Sequence, residues 1–232
     1  MGSVFDRIVI AVPNLTAAVA QYQQLLGVAP CRITNARGLP AAWIGLPNTI
    51  LELVTGEVHQ PRIQGLVFSA EAGAEGDRPV PNPLQLDITL CDGQAALDFR
   101  QDQVEAQLTG LRVDHLVLRT GNADACIDLF ASRLGIRLAL DKTVPEWGGR
   151  MLFFRAGKLT LEVIESDRDS TAANFFWGIA FGCKDISQMS GILAQRGVAL
   201  SDIRDGRKPG TRVATIKSHC LGIPTLLIEP AT

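Results

Sequence analysis

The chain has 232 residues, of which 47% are hydrophobic and 20% charged, with a formal net charge of −2. This is long enough to bury a substantial core in one large domain or two small ones. With no Lys/Arg run, it lacks the footprint of a nucleic-acid binder. No apolar run approaches the roughly 18 residues that span a bilayer, and Met1–Arg7 lacks the basic-then-apolar pattern of a signal peptide. The five cysteines (Cys31, Cys91, Cys126, Cys183, Cys220) are odd in number, scattered and without a CxxC pair. Cys126 and Cys183 stand among apolar residues as small core side chains, and a reduced, cytoplasmic chain is expected.

In chain order, the first element is a strand, Phe5-Asp6-Arg7-Ile8-Val9-Ile10-Ala11-Val12. Asn14 then caps a helix whose apolar stripe is Leu15, Ala18, Val19, Tyr22, Leu25 and Leu26, and Gly27 stops it. Thr49-Ile50-Leu51-Glu52-Leu53-Val54 reads as a closing strand centred on a glutamate. Gln64 to Phe68 begins a shortened copy, with Leu84 to Leu90 a later strand. Between them Ser69 to Pro83 is rich in Ala, Gly, Glu and Pro and reads as a loop in place of a helix. Residues 92–111 are polar and weakly helical and join the two halves.

The opening pattern then returns as Val113-Asp114-His115-Leu116-Val117-Leu118. A helix follows, capped by Asn122, with Cys126, Leu129, Phe130 and Leu134 on its stripe and Gly135 at its end. The closing strand is Leu159-Thr160-Leu161-Glu162-Val163-Ile164. Arg7 to His115 is a step of 108 residues and Glu52 to Glu162 a step of 110, near-constant offsets that mark a duplication. A further copy runs from Gly178-Ile179-Ala180-Phe181, through a helix capped by Asp185 and ended by Gly197, to Thr225-Leu226-Leu227-Ile228-Glu229. One helix per unit, several short strands after it and no Gly-rich phosphate loop predict an α+β fold. Its repeated βαβββ modules form two cupped, mainly antiparallel sheets. The expected divisions are 1–91, a connector at 92–111, and 112–232.

Together, the Val-Asp-His opening, the helix ending in Leu-Gly and the Leu-Glu-Val closing strand resemble the vicinal oxygen chelate superfamily. That group includes glyoxalase I, methylmalonyl-CoA epimerase, extradiol dioxygenases and bleomycin-resistance proteins. The resemblance covers modules at 4–56, 112–166 and 175–231, with 63–91 degenerate. It implies a metal held by a His on the first strand and a Glu on the last strand of participating modules. Carried onto this chain, the ligands are His115, Glu162 and Glu229, with Glu162 and Glu229 also the proton-moving groups. One imidazole and two carboxylates suit a divalent zinc, manganese, iron(II) or nickel ion. Gly178 stands where a second His is expected, so the 2-His-1-carboxylate set of an oxygen-activating site is incomplete unless His219 completes it.

The same resemblance places Arg7 in the first module's His position, with Glu52 retained. There a guanidinium replaces the cation and pairs with the carboxylate, as a structural ion pair or as an anion-binding group. Trp43, Trp147 and Trp177 stand near the cup-lining strands, as aromatic walls or as core filling. Glu146-Trp147-Gly148-Gly149-Arg150 reads as an edge of the site, and Asp205 to Gly210 as a solvated polar turn. Trp147, Arg150, Trp177 and His219 are the expected substrate-binding residues. The resemblance implies an enzyme acting on a small molecule, a metal-assisted isomerase or lyase working next to a carbonyl, in a monomer or homodimer without nucleic-acid or membrane partners. The alternatives are a metal-free ligand-sequestering protein and a metal-independent cyclase or isomerase, with a ring-cleaving dioxygenase disfavoured by the missing imidazole. The bland reading of the trio is a hydrogen-bonded core histidine and two glutamates paired with arginine or backbone.

Overall fold

The computed structural model describes residues 3–35, 37–69, 77–102, 109–144, 149–165 and 173–231. The first half contains β1 (Val4–Val12), α1 (Leu15–Leu26), β2 (Cys31–Thr34), β3 (Pro40–Leu46), β4 (Thr49–Thr55), β5 (Arg62–Ser69), β6 (Arg78–Pro79) and β7 (Asp87–Cys91). After α2 (Gln94–Asp102), the second half begins with β8 (Arg112–Thr120) and α3 (Ala123–Cys126), which continues as a π-helical segment over Ile127–Arg133. Next come β9 (Arg137–Val144), β10 (Gly149–Ala156), β11 (Leu159–Glu165) and β12 (Phe175–Gly182). The chain finishes with α4 (Ile186–Gln195), β13 (Arg204–Asp205), β14 (Arg212–Ile216) and β15 (Thr225–Glu229). Among the described residues no helix is long and apolar enough to cross a membrane.

The helices begin and end where their side chains dictate. The Asn14 side chain accepts from Ala17 N–H, Asn122 from Ala125 N–H, and Asp185 from Ser187 and Gln188 N–H. Gly27 closes α1 in the left-handed region at φ +68°. Two mixed sheets result, of seven strands in the order β2-β3-β4-β1-β5-β7-β6 and of eight in the order β13-β14-β15-β12-β8-β11-β10-β9. Most neighbouring strands run antiparallel. The parallel pairs join the first and last strands of each module: β1 with β4, β5 with β7, β8 with β11 and β12 with β15. The expected α+β architecture of cupped sheets and repeated modules is therefore the observed one. In the second module, α2 follows the last strand as part of the connector; of the expected 69–83 loop, 70–76 lie outside the described residues.

Strand alternation sorts each sheet into two faces. In β8 and β11 the buried Leu116, Leu118, Leu161 and Val163 belong to the core, while His115, Val117, Glu162 and Ile164 line the cup. In β1 and β4, Ile8, Ile10, Leu51 and Leu53 are core, and Arg7, Val9, Glu52 and Val54 line the other cup. The two cores are continuous. Phe5, Phe68, Phe130 and Phe154 form an aromatic series across the halves, with successive ring centroids 4.6, 6.4 and 5.4 Å apart. Asn48 fastens the halves by donating to Val113 C=O at 2.6 Å and accepting from Val113 N–H at 3.1 Å.

Two glycines occupy matching places where the second-module and fourth-module opening strands cross their closing neighbours. A β carbon at Gly65 would stand 2.5 Å from the Asp87 carbonyl oxygen, and one at Gly178 would stand 2.7 Å from that of Pro224. Backbone cannot yield as a flexible side chain does. Gly178→Ala should therefore cost about 1–3 kcal/mol of stability, measured by urea unfolding. A neutral result would show that β12 and β15 can separate freely.

Candidate functional site

The C-terminal sheet holds a cup of about 750 Å³. Its walls are mostly apolar and include Val117, Met151, Phe153, Ile164, Trp177 and Leu226. On its floor His115 and Glu162 face each other across the parallel pair β8–β11, with Nε2 and Oε2 3.7 Å apart. On the ring's other side, Nδ1 lies 3.0 Å from Asp114 Oδ2. The hydrogen bond with His115 holds the Asp114 carboxyl below the usual range despite burial. Asp114 therefore stays ionised and fixes the ring. Burial pushes the Glu162 carboxyl up, and the charges of His115 and Arg207 only partly oppose that.

Glu229, expected as the third metal ligand and a second proton-moving group, is not at this site. It lies on the same side of β15 as the fully buried Leu227, whereas Leu226 and Ile228 line the cup. Arg212 binds it through two hydrogen bonds, Nε to Oε1 at 3.0 Å and Nη2 to Oε2 at 2.7 Å, and Ile186 N–H donates to Oε2 at 2.8 Å. Those contacts hold its carboxyl below the usual range. Its structural counterpart is Glu165, which accepts from Ala123 N–H at 2.7 Å at the start of α3. The cup position matching Glu162 is Leu226, paired in register with Ala180 as Glu162 is with Val117.

The expected substrate-binding residues divide. Trp177 lines the cup. Arg150 points to the face of β10 opposite the cup-lining Met151 and Phe153. There its Nε and Nη2 bind Asp141 at 2.8 and 2.7 Å, and its Nη1 binds Asp124 at 2.8 Å. Its role is to tie β9 to the first turn of α3, away from the cup. His219 sits in the β14–β15 connection at φ +58°, its Nδ1 2.8 Å from Ser218 Oγ, and is not a cup-lining residue. Trp147 lies outside the described residues. The turn from Asp205 to Lys208 read as merely solvated, yet Arg204, Asp205, Arg207 and Lys208 all border the cup. The signal available in sequence was the density of cations ahead of a cup strand.

These donors do not fit a resident divalent metal. Such a site takes three or more protein ligands, and His115 with Glu162 supplies two. Asp114 is engaged on the far nitrogen of the ring, and the register neighbours from which a third donor would come, Ala180 and Leu226, carry none. Among the described residues no group of three or more His, Cys, Asp or Glu is placed to hold a metal.

The N-terminal cup uses the same frame differently. Arg7 Nε donates to Glu52 Oε2 at 2.8 Å, Nη1 to Asp6 Oδ1 at 2.6 Å and Nη2 to Asp77 Oδ2 at 2.7 Å. Its guanidinium carbon lies 5.3 Å from the centre of the Trp43 ring. Burial alone would lower the Arg7 pKa, but the charges of Asp6, Glu52 and Asp77 hold it up. Burial pushes the Asp6 carboxyl up against the pull of Arg7. The bridge lies across the floor, leaving cavities of about 380 and 310 Å³, both lined by Arg7, Glu52, Asn35 and Asp77.

Comparison with known proteins agrees with this architecture. Residues 114–215, which contribute His115, Glu162 and the cationic rim, match the Glyoxalase/Bleomycin resistance protein/Dioxygenase superfamily. The family likeness read from the sequence is thus found there. A triple mutant of 4-hydroxymandelate synthase from Streptomyces coelicolor shares the fold, with a TM-score of 0.72 at 14% identity over 98% of this chain and 92% of its own. Methylmalonyl-CoA epimerase from Mycobacterium tuberculosis aligns at 20% identity and a TM-score of 0.44, covering 53% of this chain and 89% of its own. The Streptomyces coelicolor epimerase aligns at 21% identity and a TM-score of 0.41, covering 50% of this chain and 92% of its own. No curated protein sequence matches the chain.

Removing the buried cation would strand the carboxylates around it. Arg7→Ala should cost about 3–5 kcal/mol in urea unfolding. Arg7→Lys should recover only part of that loss, since an ammonium cannot reproduce the planar fork. Equal stability of Arg7→Ala and the parent chain would mean that the carboxylates relax to solvent instead.

Proposed function

We propose that the C-terminal cup catalyses proton transfer at a carbon next to a carbonyl in a small apolar molecule, an isomerase or lyase reaction carried by Glu162, His115 and Asp114. The observation that carries this reading is a carboxyl raised by burial beside an imidazole whose orientation a charged aspartate fixes. A base in such surroundings is a stronger proton acceptor than an exposed glutamate. An apolar wall also excludes the water that would level it.

In this reading Glu162 takes the proton from the substrate carbon as charge builds on the carbonyl oxygen. Asp114 accepts from Nδ1–H, which turns Nε2 towards the cup, where as imidazolium it would donate to that oxygen. The tautomer is assigned from the Asp114 contact. Returning the proton from Glu162 to a different carbon or face completes an isomerisation; departure of a β-substituent completes an elimination. No step passes through a metal, because the donor set among the described residues is short of one. A ligand-sequestering protein would share the apolar cup but would not need the raised carboxyl.

The test is exchange of α-protons for deuterium in D2O, followed by proton NMR over a panel of aryl and alkyl ketones and 2-oxo acids. Glu162→Gln should slow exchange by about 10²–10⁴-fold. The parent rate should rise with pH through a midpoint above the ordinary carboxylate range, because the working form is deprotonated and burial raises its pKa. Retention of ligand binding with no Glu162-dependent exchange would replace catalysis with sequestration.

A further inference from the structure

His115 has a polar neighbour in the cup. Its register partner across the parallel pair β8–β11 is Thr160, and both residues line the cavity. From the other side, Arg155 of β10 is the register partner of Thr160 and donates from Nη1 to Thr160 Oγ1 at 2.6 Å. A guanidinium can only donate. The contact therefore occupies a lone pair of the hydroxyl oxygen and leaves the hydroxyl proton directed elsewhere. Among the described residues no group accepts that proton. The N-terminal cup shows that the frame does not impose this pair. There the same register positions hold Arg7, Ile50 and Gly45. Ile50 is fully buried and has no hydroxyl, and Gly45 has no side chain. The hydroxyl and the cation that holds it thus belong to the cup with the imidazole on its floor, and not to the cup closed by ion pairs.

From this arrangement we infer that the Thr160 hydroxyl is a catalytic donor to the substrate's carbonyl oxygen as negative charge gathers there, and that Arg155 is the positioning residue that aims and polarises it. This role rests on the proton-transfer reading of the same cup. With Nδ1–H committed to Asp114, a neutral His115 turns a bare Nε2 to the cup and cannot donate to an oxygen until the ring is protonated. Thr160 donates in either state of the ring. Adjacent strands stand about 4.8 Å apart, and residues two apart on one strand about 6.6 Å. An oxygen seated over Thr160 and His115 therefore leaves the neighbouring carbon facing Glu162, two residues along β11 on the same face. As Glu162 takes the proton, the C–H electron pair becomes the new C=C bond and the carbonyl π pair moves onto oxygen. Thr160 keeps its own proton. Its hydrogen bond to the oxygen strengthens as that charge grows, the more so because Thr160 Oγ1 accepts from a charged donor.

Two measurements tell the donor role apart from the reading beneath it. The first needs no turnover. In Glu162→Gln, which leaves the base position uncharged, calorimetry gives the Kd of 4-nitrophenolate, whose charged oxygen stands in for an enolate, and of neutral 4-nitroanisole. The phenolate should bind roughly tenfold tighter. Adding Thr160→Val, which keeps the side-chain shape without the hydroxyl, should abolish that preference, and Thr160→Ser should restore it. The second is the rate of exchange in D2O with Glu162 intact. Thr160→Val should lower kcat by about 10²–10³-fold, with KM little changed and the pH midpoint in place, since Glu162 sets it. Arg155→Met should cost less, and most of its effect should vanish in the Thr160→Val background. A phenolate preference that survives Thr160→Val, one lost in Thr160→Ser as well, no phenolate binding, or an equal Arg155→Met effect with and without the hydroxyl would each overturn the inference. Thr160-dependent phenolate preference without Glu162-dependent exchange would remove the proton-transfer reading alone; Glu162-dependent exchange that Thr160→Val leaves untouched would remove this inference alone.

Discussion

In each half, the first strand of the leading module runs parallel to the closing strand of that module, and this pairing decides which side chains can meet. Arg7 and Glu52, 45 residues apart in sequence, lie one strand over from each other through the β1–β4 register. His115 and Glu162 take the same relation through β8–β11. Because alternate residues face opposite sides, the pairing also sends Leu51, Leu53, Leu161 and Val163 to the core. A site and a core thus come from one register, and neither can slip by a residue without exchanging the two.

On that shared frame the two cups meet the cost of a buried glutamate in opposite ways. In the first, a guanidinium bridges Glu52, Asp6 and Asp77, and the polar floor is filled by its own ion pairs. In the second, the imidazole stops 3.7 Å short of Glu162, beyond hydrogen-bond reach, and the carboxyl stands in an apolar bowl with its pKa raised. The first arrangement is satisfied by its own ion pairs; the second leaves its carboxyl short of a partner, which is what the proposed proton transfer would use. Arg and His at one position therefore separate a scaffold from a candidate catalytic site.

The repeat made much of this legible beforehand. Caps at Asn14, Asn122 and Asp185 and stops at Gly27 and Gly135 are local signals, and with the near-constant offset from Arg7 and Glu52 to His115 and Glu162 the modules follow from them. Glu229 misled because β11 holds two glutamates three positions apart on opposite faces, Glu162 towards the cup and Glu165 towards the helix. The closing strand of the last module keeps only the second. Distance from the helix start distinguishes them: Ala123 to Glu165 spans 42 residues and Ile186 to Glu229 spans 43. Gly178 does stand at the place that His115 holds in its own module, two residues before the register partner of Leu226 as His115 is before that of Glu162, and the Pro224 carbonyl leaves no room for a side chain there. Arg150 and the rim cations required the fold, since strand phase next to an edge and the path of a turn are tertiary facts.

The aromatic series from Phe5 through Phe68 and Phe130 to Phe154 has a consequence for how such a duplicated chain holds together. Two copies that descend from one unit would be expected to melt separately if each enclosed its own core. Here the rings at the junction belong to both: Phe68 packs on Phe5 from its own half and on Phe130 from the other. Neither half can open without exposing aromatic surface of its neighbour, which couples the two halves in unfolding. The cup faces can thus differ in chemistry while the core between them is shared.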